Sequence, residues 1–361
     1  MKKYYFILFR LFRINYKSLK SVTNLSVILS TLLCVVFVSI TLSITDGFKE
    51  NVISKIIFFD GYARVNYHDL TTEDLDYLRN HSEYNLGIQP YYESEYIIKN
   101  SHASELVTLF SSNRIKKKIS NINILSNDNV QNKVYVGYSL KNKLFSNNNN
   151  LTAILISENK PFETINVVGF FETGVPLFDN HVVISNIIDL DFYSNAPSGY
   201  IINEQAFEKI DYSLSTPIYT YKDRYYDFLK WLDSYDLPIF ILLFFIVIVG
   251  LINNKFCYTV DILNRRVDSS IFHNLGLSYK EIYYLYWYKF LLLNSIGILL
   301  GTILSLFLLY LETHFHFIQI PSEIYFTSSI PITFKLYNFM YVPLIILLQT
   351  FYFALFKYEI K

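Results

Sequence analysis

The sequence predicts a membrane protein, an α-helical bundle of four spans with a large extracytoplasmic α+β domain inserted between the first and second spans. Hydrophobic residues make up 52% of the 361-residue chain, a share above that of typical soluble domains. Four uncharged stretches are each long enough to cross roughly 30 Å of hydrocarbon as a helix. The first two are separated by a polar stretch that is too long to be a loop.

The chain begins with a basic segment, residues 1–20, that contains lysines and arginines but no acid. The uncharged run 21–45 comes next and is predicted to be the first transmembrane helix. A cleavable signal peptide is the alternative. However, the run exceeds the apolar region of about 7–15 residues found in such peptides, and no small-residue cleavage site ends it. We therefore predict a retained anchor.

Residues 46–236 are predicted to form a periplasmic α+β domain. Short runs of β-type residues recur, and two stretches have helical spacing. The predicted strands are Ala63–Tyr67, Glu105–Phe110, Val134–Val136, Ala153–Ile156, Ile165–Phe171 and His181–Ile184. The predicted helices are Thr72–Asn80 and Glu204–Ile210. The Asn-rich tract Ser146–Asn150 predicts an exposed loop tip.

The distribution of charge predicts the orientation of the chain. The three remaining spans are predicted at residues 237–254, 290–311 and 336–356. Lysines and arginines gather in residues 1–20, in the connection 255–289 and in the tail 357–361, whereas the loop 312–335 holds only Lys335. Positive residues mark the cytoplasmic side. The termini are therefore predicted to be cytoplasmic and the large domain periplasmic, in a bacterial inner membrane.

The connection 255–289, here named the elbow, is predicted to form a helix, a sharp corner and a second helix. Apolar residues recur every three or four positions, which places them on one helix face. These residues are Val260, Leu263, Val267, Ile271 and Leu275. Gly276 provides the left-handed end of the first helix, and Ser278 with Glu281 forms a capping box for the second. Such an elbow is suited to transmitting the movement of a soluble partner protein to the membrane helices. The alternative is that it is only a solvated connection between two spans.

Several kinds of chemistry are excluded. No GxxxxGK[ST] phosphate loop occurs, so the chain is predicted not to be an enzyme and any ATP-Mg must belong to a partner. No predicted span holds an acid or a base, which argues against a proton-coupled carrier. His314 and His316 have the spacing of two ligands on a strand, but we predict no metal site there. The net charge is zero, which argues against a nucleic-acid partner.

Four stretches of the sequence carry a family resemblance. Asp46, Gly47 and Phe48 come after the first span, and Val167–Ser185 reads VVGFFETGVPLFDNHVVIS. The elbow has a basic pair, an acid, an apolar pair and then Leu-Gly-Leu-Ser, and Pro331 precedes the last span. In these features the chain resembles the permease subunits of lipoprotein-releasing ABC transporters, the LolC/LolE type, within the wider group of MacB and FtsX membrane subunits.

The resemblance implies that residues 46–236 form a domain of the MacB-like core type. It also implies a permease that pairs with a second permease subunit, as a homodimer or a heterodimer, and binds a LolD-like ATPase through the elbow. The implied coupling residues are Arg265, Arg266, Asp268, Ile271, Phe272, Leu275 and Gly276. ATP hydrolysis by the partner would release lipoproteins from the outer leaflet, with a LolA-like carrier as a further partner. A MacB-like export permease that transmits mechanical motion, and an FtsX-like regulator of a cell-wall hydrolase, are the alternatives.

Two further sets of residues are candidates for function. Apolar side chains at the outer ends of the first two spans are predicted to border a cavity for acyl chains, because acyl chains need an apolar wall. They are Ile40, Ile44, Phe48, Ile239 and Leu243. Gly297 and Gly301 form a GxxxG pair in the third span, which favours a close helix crossing in lipid.

Overall fold

The computed structural model describes residues 19–83, 87–100, 103–112, 123–124, 133–145, 152–157, 160–173, 175–185, 197–210, 215–320 and 329–355. The helices are α1 (Leu19–Asp60), α2 (Thr72–Glu83), α3 (Tyr138–Phe145), α4 (Pro176–Asp179), α5 (Glu204–Ile210), α6 (Tyr221–Arg224), α7 (Tyr226–Ser234), α8 (Asp236–Asn264), α9 (Arg266–Asn274), α10 (Tyr279–Phe315) and α11 (Leu336–Leu355). The predicted loop tip Ser146–Asn150, the tail 357–361 and almost all of the basic segment 1–20 lie outside the described residues.

The strands form the second set of elements. They are β1 (Ala63–Asn66), β2 (Ile88–Lys99), β3 (Ser104–Ser112), β4 (Asn123–Ile124), β5 (Lys133–Gly137), β6 (Thr152–Ser157), β7 (Lys160–Phe171), β8 (Val182–Ser185), β9 (Gly199–Ile202) and β10 (Tyr219–Thr220). The chain divides into two compact units. The helical unit comprises Met1–Phe48, Asp233–Ile318 and Ile330–Lys361, and the sheet unit comprises Lys49–Leu232 and Gln319–Ser329.

Within the described residues, four helices are long and apolar enough to cross a membrane. The helices α1, α8 and α10 each contain one predicted span, and α11 covers the predicted fourth span 336–356 as far as Leu355. Two helices extend well beyond their uncharged runs, α1 to Asp60 and α8 to Asn264. Charged residues end an apolar run, but Lys, Glu and Arg are good helix formers and so do not end a helix. The bounds of the four spans therefore stay predictions about the membrane.

Aliphatic and aromatic side chains fill the interior of the helical unit. Val35 of α1 is fully buried and packs with Leu243 of α8 and Val342 of α11. In a second cluster the rings of Tyr258 in α8 and Phe353 in α11 stack at a centroid distance of 5.0 Å. The bundle therefore has a packed interior of its own within one chain.

The sheet unit is built on a mixed sheet. Its described strands have the order β10-β1-β9-β2-β3-β8-β5-β7-β4, and β6 pairs with both β2 and β7. The pairings of β2, β3, β8, β5, β7 and β6 close a ring of strands. Buried residues such as Ile98, Leu109, Val136 and Leu155 fill this ring. Outside the ring, β1 and β9 pack against α2 and α5 through Val65, Leu78 and Ala206.

The predicted strands and helices of this domain are all present, so the α+β prediction is confirmed. The sequence does not predict β2, which mixes Pro90, Glu93 and Glu95 with apolar residues. In the structure β2 pairs with β3 along one side and with β9 and β6 along the other, and Tyr91, Tyr96 and Ile98 are buried while Glu93 and Glu95 are exposed. The sequence also does not predict β9 or α3, which are short and obtain their order from packing in the two cores.

Candidate functional site

The sequence predicts a helix, a sharp corner and a second helix in the elbow, and the corner lies at Gly276 as predicted. The first predicted helix is not continuous, because the backbone at Arg265 separates the end of α8 from α9; Val260 and Leu263 precede this break and Val267 and Ile271 follow it. α9 begins after Arg265, whose φ of −110° and ψ of 20° interrupt the helix, and Gly276 has a φ of +93°. A Cβ at Gly276 would meet no atom within 4 Å, so the glycine serves the left-handed backbone rather than a close approach. Ser278 N donates to Glu281 Oε2 at 2.8 Å, and Ser278 Oγ accepts from Glu281 N at 3.4 Å. This capping box begins α10.

An apolar stripe, here named the elbow stripe, runs along the elbow and consists of Leu263, Val267, Ile271 and Leu275. Val267 and Ile271 lie on α9 and Leu275 directly follows it, whereas Leu263 lies at the end of α8, before the break at Arg265. In chain order, the exposed fractions of the four residues are 48%, 71%, 52% and 74%. Arg266 is exposed beside the stripe. A row of apolar side chains that its own chain leaves uncovered is typical of a surface that receives a partner.

The opposite face of α9 packs against α10. Ser269 Oγ lies 3.1 Å from the hydroxyl of Tyr286, and both residues are buried. The half-buried ring of Phe272 packs on the cluster of Ile282, Leu285 and Tyr286. Phe272, which the resemblance assigns to the ATPase contact, therefore lies on the inner side of the helix and not on the elbow stripe.

Arg265 also differs from its expected position at the surface. Only 5% of it is exposed, and its Nε donates to Asp261 Oδ1 at 2.9 Å. The same Asp261 accepts from Lys289 Nζ through Oδ2 at 2.6 Å, and Lys289 is 1% exposed. Asp268, 30% exposed, lies 3.9 Å from Arg265. We name Asp261, Arg265 and Lys289 the Asp261 cluster; it joins α8, the start of α9 and α10.

The Asp261 cluster qualifies the sequence prediction that no span carries an acid or a base. Lys289 precedes the predicted third span by one residue and Asp261 comes seven residues after the second, but both lie inside long apolar helices. In the sequence Lys289 stands in the aromatic run YWYKF, and a lysine in such a run is expected at the membrane interface with its amino group in water. Nothing in the sequence next to Lys289 indicates Asp261 as its partner, since the two residues lie 28 positions apart.

Gly297 and Gly301 lie where α10 crosses α1. A Cβ at Gly297 would come within 2.8 Å of Thr31 Cβ, and one at Gly301 within 3.0 Å of the Leu32 carbonyl oxygen. Next to this crossing Thr31 Oγ1 donates to Asn294 Oδ1 at 2.8 Å. The two glycines thus sit at a close contact between backbones, which is what a GxxxG pair permits.

A second close approach lies at Gly47 of α1, one residue before the boundary between the helical unit and the sheet unit. A Cβ at Gly47 would collide with the carbonyl oxygen of Pro331. Beside it, Asp46 Oδ2 accepts from the hydroxyl of Tyr337 at 2.8 Å and from Asn338 Nδ2 at 2.9 Å. Asp46, Gly47 and Pro331 come from two of the stretches that carry the family resemblance. Together they hold the segment before α11 against α1.

The candidate acyl-chain residues do not share one environment. Leu243 is 6% exposed and packs inside the bundle, with Ile239 partly buried against the same cluster. Ile40, Ile44 and Phe48 are half-buried. The five residues therefore do not form a single open wall within one chain.

An apolar groove lies elsewhere, between α1 and α8. Its volume is about 610 Å³, and Leu29, Leu33 and Phe37 of α1 face Phe245 and Val249 of α8 across it. None of the five candidate residues lines this groove. The sequence gives no signal for it, because lipid-facing and groove-lining residues have the same apolar composition.

In the sheet unit, the end of α1 is held by a second group of charges, here named the Asp60 cluster. The carboxylate of Asp60 pairs with both Arg64 and Arg224, and Arg64 Nη1 also pairs with Glu93 Oε2 at 2.8 Å. The Arg64 guanidinium lies over the ring of Tyr91, 4.3 Å from its centroid. Burial acts to lower the pKa of Arg64, but Asp60 and Glu93 outweigh it and raise that pKa above its ordinary value.

A cavity of about 210 Å³ opens beside the Asp60 cluster. Phe59, Phe178, His181 and Tyr225 are among its lining residues, and Phe59 stacks on Phe178 at 4.8 Å. Burial, with a further contribution from nearby Asp60, raises the pKa of Tyr225. The charges of Asp60, Arg64 and Glu93 at this cavity are paired with one another.

The FETGVPLFD stretch shapes one wall of this cavity. The backbone N and the hydroxyl of Thr173 both donate to Asp179 Oδ1 at 2.8 Å. A Cβ at Gly137 would collide with the Asp179 carbonyl oxygen. The aspartate of the family-like motif therefore closes a tight loop that presents Phe178 to Phe59.

Comparison with known proteins gives weak likenesses. No protein-family model matches the chain, and no curated protein matches it. Among solved structures it is similar to the extracellular domain of the noncanonic ABC-type transporter YknZ from Gram-positive bacteria, with 12% identity, a TM-score of 0.29 and coverage of 43% of this chain and 90% of that one. It is also similar to the periplasmic region of MacB from Actinobacillus actinomycetemcomitans, with 12% identity, a TM-score of 0.29 and coverage of 51% and 95%. At such TM-scores these likenesses establish neither family nor function.

Proposed function

We propose that the chain is the membrane permease of an ABC transporter in the MacB/FtsX group, without nucleotide-binding motifs of its own and moved by a separate ATPase subunit. The observation that carries the proposal is the elbow stripe. Its side chains stand exposed on a short helix whose other face is already packed, so the stripe is available to a partner. The family-like sequence of the elbow supports an ATPase as that partner.

The area of uncovered apolar surface favours docking at the stripe. Full burial of a Val, Leu or Ile side chain contributes about 1.5–3 kcal/mol. The exposed fractions of Val267, Ile271 and Leu275 together amount to about two fully exposed side chains, so a partner that covers them would gain about twice that amount before the cost of association. An amphipathic helix lying in a groove is a common recognition mode, in which the anchoring side chains recur at intervals of three and four residues. Arg266 beside the stripe suits an acidic rim on the partner's groove.

The docking proposal is tested by paired variants. Ile271→Ala with Leu275→Ala is expected to reduce retention of the ATPase subunit, measured by copurification from native membranes, by a hot-spot loss of about 2 kcal/mol or more. Thermal stability of the permease should stay the same, since both side chains are exposed. Phe272→Ala is the matched control, expected to lower thermal stability because its ring packs on α10. Undiminished copurification in the double variant would contradict the proposal.

For the substrate we propose lipoproteins released from the outer leaflet of the inner membrane, with a second permease subunit and a LolA-like carrier as partners. Acyl chains resist extraction because each buried methylene contributes about 0.8 kcal/mol, so release requires the work of ATP hydrolysis. Ile40, Ile44 and Phe48 are half-buried at the outer end of the first predicted span, and Ile239 is partly buried at the outer end of the second. They are the candidates for the apolar wall that such chains need, whereas the groove between α1 and α8 lies toward the cytoplasmic ends of the two spans.

Photo-crosslinking tests this substrate. A crosslinker at Ile44, Phe48 or Ile239, near the outer ends of the first two predicted spans, is expected to capture a triacylated lipoprotein before ATP is added and to lose it once ATP and carrier are supplied. Leu308, exposed on α10, is the control for side chains that face lipid. Capture of an exported peptide would favour a MacB-like exporter. Absence of any captured substrate, with the ATPase bound, would favour an FtsX-like regulator.

A further inference from the structure

We infer that Asp261 and Lys289 are positioning residues that fix the junction between α8 and α9, at Arg265, to α10, so that α9 and α10 move as one body and carry the motion of the docked ATPase to α1. This inference rests on the proposed function, since it concerns the motion that docking at the elbow stripe sets off. It assigns α10, rather than a swinging α9, as the element that the ATPase moves.

The first step is the burial of the ion pair. Lys289 is 1% exposed and its Nζ lies 2.6 Å from Asp261 Oδ2. Arg265, at the junction between α8 and α9, pairs with the other oxygen of the same carboxylate. A buried ionic group that loses its partner faces a large desolvation cost. The junction at Arg265 therefore resists opening, although its backbone is not helical.

The second step is that α9 meets α10 again further along its length. The Ser269 and Tyr286 hydroxyls lie 3.1 Å apart, one turn after Arg265. Past Phe272, whose ring packs on α10, the ring of His273 stacks on Tyr279 at a centroid distance of 4.2 Å. Contacts thus recur from the start of α9 to its end. These contacts align α9 along α10, and the buried ion pair at the start of α9 anchors the aligned helix.

The third step passes from α10 to α1. At Gly297 and Gly301 the two helices approach so closely that an added methyl group would press on Thr31 or on the backbone at Leu32. The buried hydrogen bond from Thr31 to Asn294 joins the same two helices. Packed interiors yield little to displacement. A shift of α10 is therefore expected to move α1 with it.

The experiment measures α1 directly. In a chain with Cys34→Ala and Cys257→Ala, a cysteine replaces Leu25, an exposed residue of α1, and its labelling rate is measured in the ATPase-bound complex with and without ATP. We expect at least a three-fold change on adding ATP. Lys289→Met is expected to abolish this change while the ATPase still copurifies, because the elbow stripe is untouched. Lys289→Arg is expected to retain it.

A tether then separates a positioning role from general damage. Ser269→Cys and Tyr286→Cys are joined by a short bis-methanethiosulfonate that takes the place of the tyrosine ring. The tether is expected to leave the ATP-dependent change intact and to restore it in the Lys289→Met chain. The control places the cysteines at Tyr284 and Tyr288, both exposed on α10, where the tether joins no second helix and should restore nothing.

The outcomes separate the inference from the proposed function. Failure of the parent chain to copurify an ATPase would overturn the proposed function. Three results with the ATPase bound would overturn the inference. They are an absence of any ATP-dependent change at Leu25, loss of that change on tethering the parent chain, and failure of the tether to restore it in Lys289→Met. If Lys289→Met does not fold, the effect of the tether on the parent chain decides the matter alone.

Discussion

The Asp60 cluster of the sheet unit and the Asp261 cluster of the helical unit share one design in different surroundings. In each, an aspartate pairs with an arginine four residues later, Arg64 or Arg265, and with a cation from a distant part of the chain, Arg224 or Lys289. Each also has a second, more exposed acid near its arginine. The same local spacing thus produces the same local pair in both units.

The two clusters differ in access to water. The Lys289 side chain is 1% exposed, whereas the side chains of Arg224 and Glu93 are 20% and 39% exposed, and a cavity opens beside the Asp60 cluster. Water that reaches a charge lowers the cost of leaving it unpaired. The Asp261 cluster is therefore a rigid joint, while the Asp60 cluster tolerates the loss of a partner better.

The largest expected effect is in the Asp261 cluster. Lys289→Met leaves two acids beside one buried arginine, and we expect the full chain in detergent to lose about 3–5 kcal/mol of unfolding free energy. Titration with sodium dodecyl sulfate, monitored by circular dichroism, measures this loss. Lys255→Met, exposed on α8, is the control and should stay within about 0.5 kcal/mol. Equal effects at the two lysines would remove the contrast between buried and exposed charge.

A smaller effect is expected in the Asp60 cluster. Asp60→Asn keeps an oxygen acceptor but removes the negative charge shared by Arg64 and Arg224. We expect a loss of about 1.5–3 kcal/mol in the same titration. Glu93→Gln, in the exposed part of the cluster, should lose no more than about 1 kcal/mol. If Asp60→Asn loses as much unfolding free energy as Lys289→Met, water in the cavity does not lower the cost of an unpaired charge in the Asp60 cluster, and the comparison fails.

The smallest expected effect involves an exposed carboxylate next to Arg224. The Thr220 hydroxyl and backbone N donate to Asp223 at 2.6 and 2.9 Å, and these bonds hold the pKa of Asp223 below its ordinary value. A lowered pKa in the folded chain means that the stabilisation is complete above the ordinary Asp pKa of about 3.9 and is lost as the pH falls through the lower, folded value.

Asp223→Ala is therefore expected to lower stability by roughly 1 kcal/mol or less near neutral pH. Its difference from the parent chain should disappear in strong acid, below the folded pKa. Thermal unfolding of both chains across a pH series measures this. Asp76→Ala, exposed on α2, has no such hydrogen bonds among the described residues and should show no comparable change. A deficit that persists in strong acid would show that Asp223 acts through packing rather than charge.

Local patterns in the sequence predicted much of the elbow. Ser278 and Glu281 form a local cap, and Gly276 takes a left-handed backbone conformation. These effects involve only neighbouring residues in the chain, so the local sequence is enough to predict them. The spacing of Val267, Ile271 and Leu275 likewise predicted one helix face. Which face of α9 stays exposed could not be predicted, because Phe272 is as apolar as Ile271. Only the position of α10 determines that Phe272 is packed and Ile271 is exposed.

The charged sites were harder to predict. Asp60 and Arg224 lie 164 residues apart, and Asp261 and Lys289 lie 28 apart. The sequence around one residue of each pair therefore does not indicate the other. The roles of Gly47 and Gly137 were hidden for the same reason, since each allows a backbone from a distant segment to approach.

By itself the sequence determined four apolar helices, an inserted α+β domain and a cornered elbow, because these depend on residue spacing and on the backbone preferences of single residues. Only the tertiary structure decided that Arg265 and Phe272 face inward, that one carboxylate in each unit serves two cations, and that α10 presses on α1 at Gly297 and Gly301. Those facts depend on which distant surfaces meet, and the free energy of burial that brings them together is the same for any apolar pair of similar size.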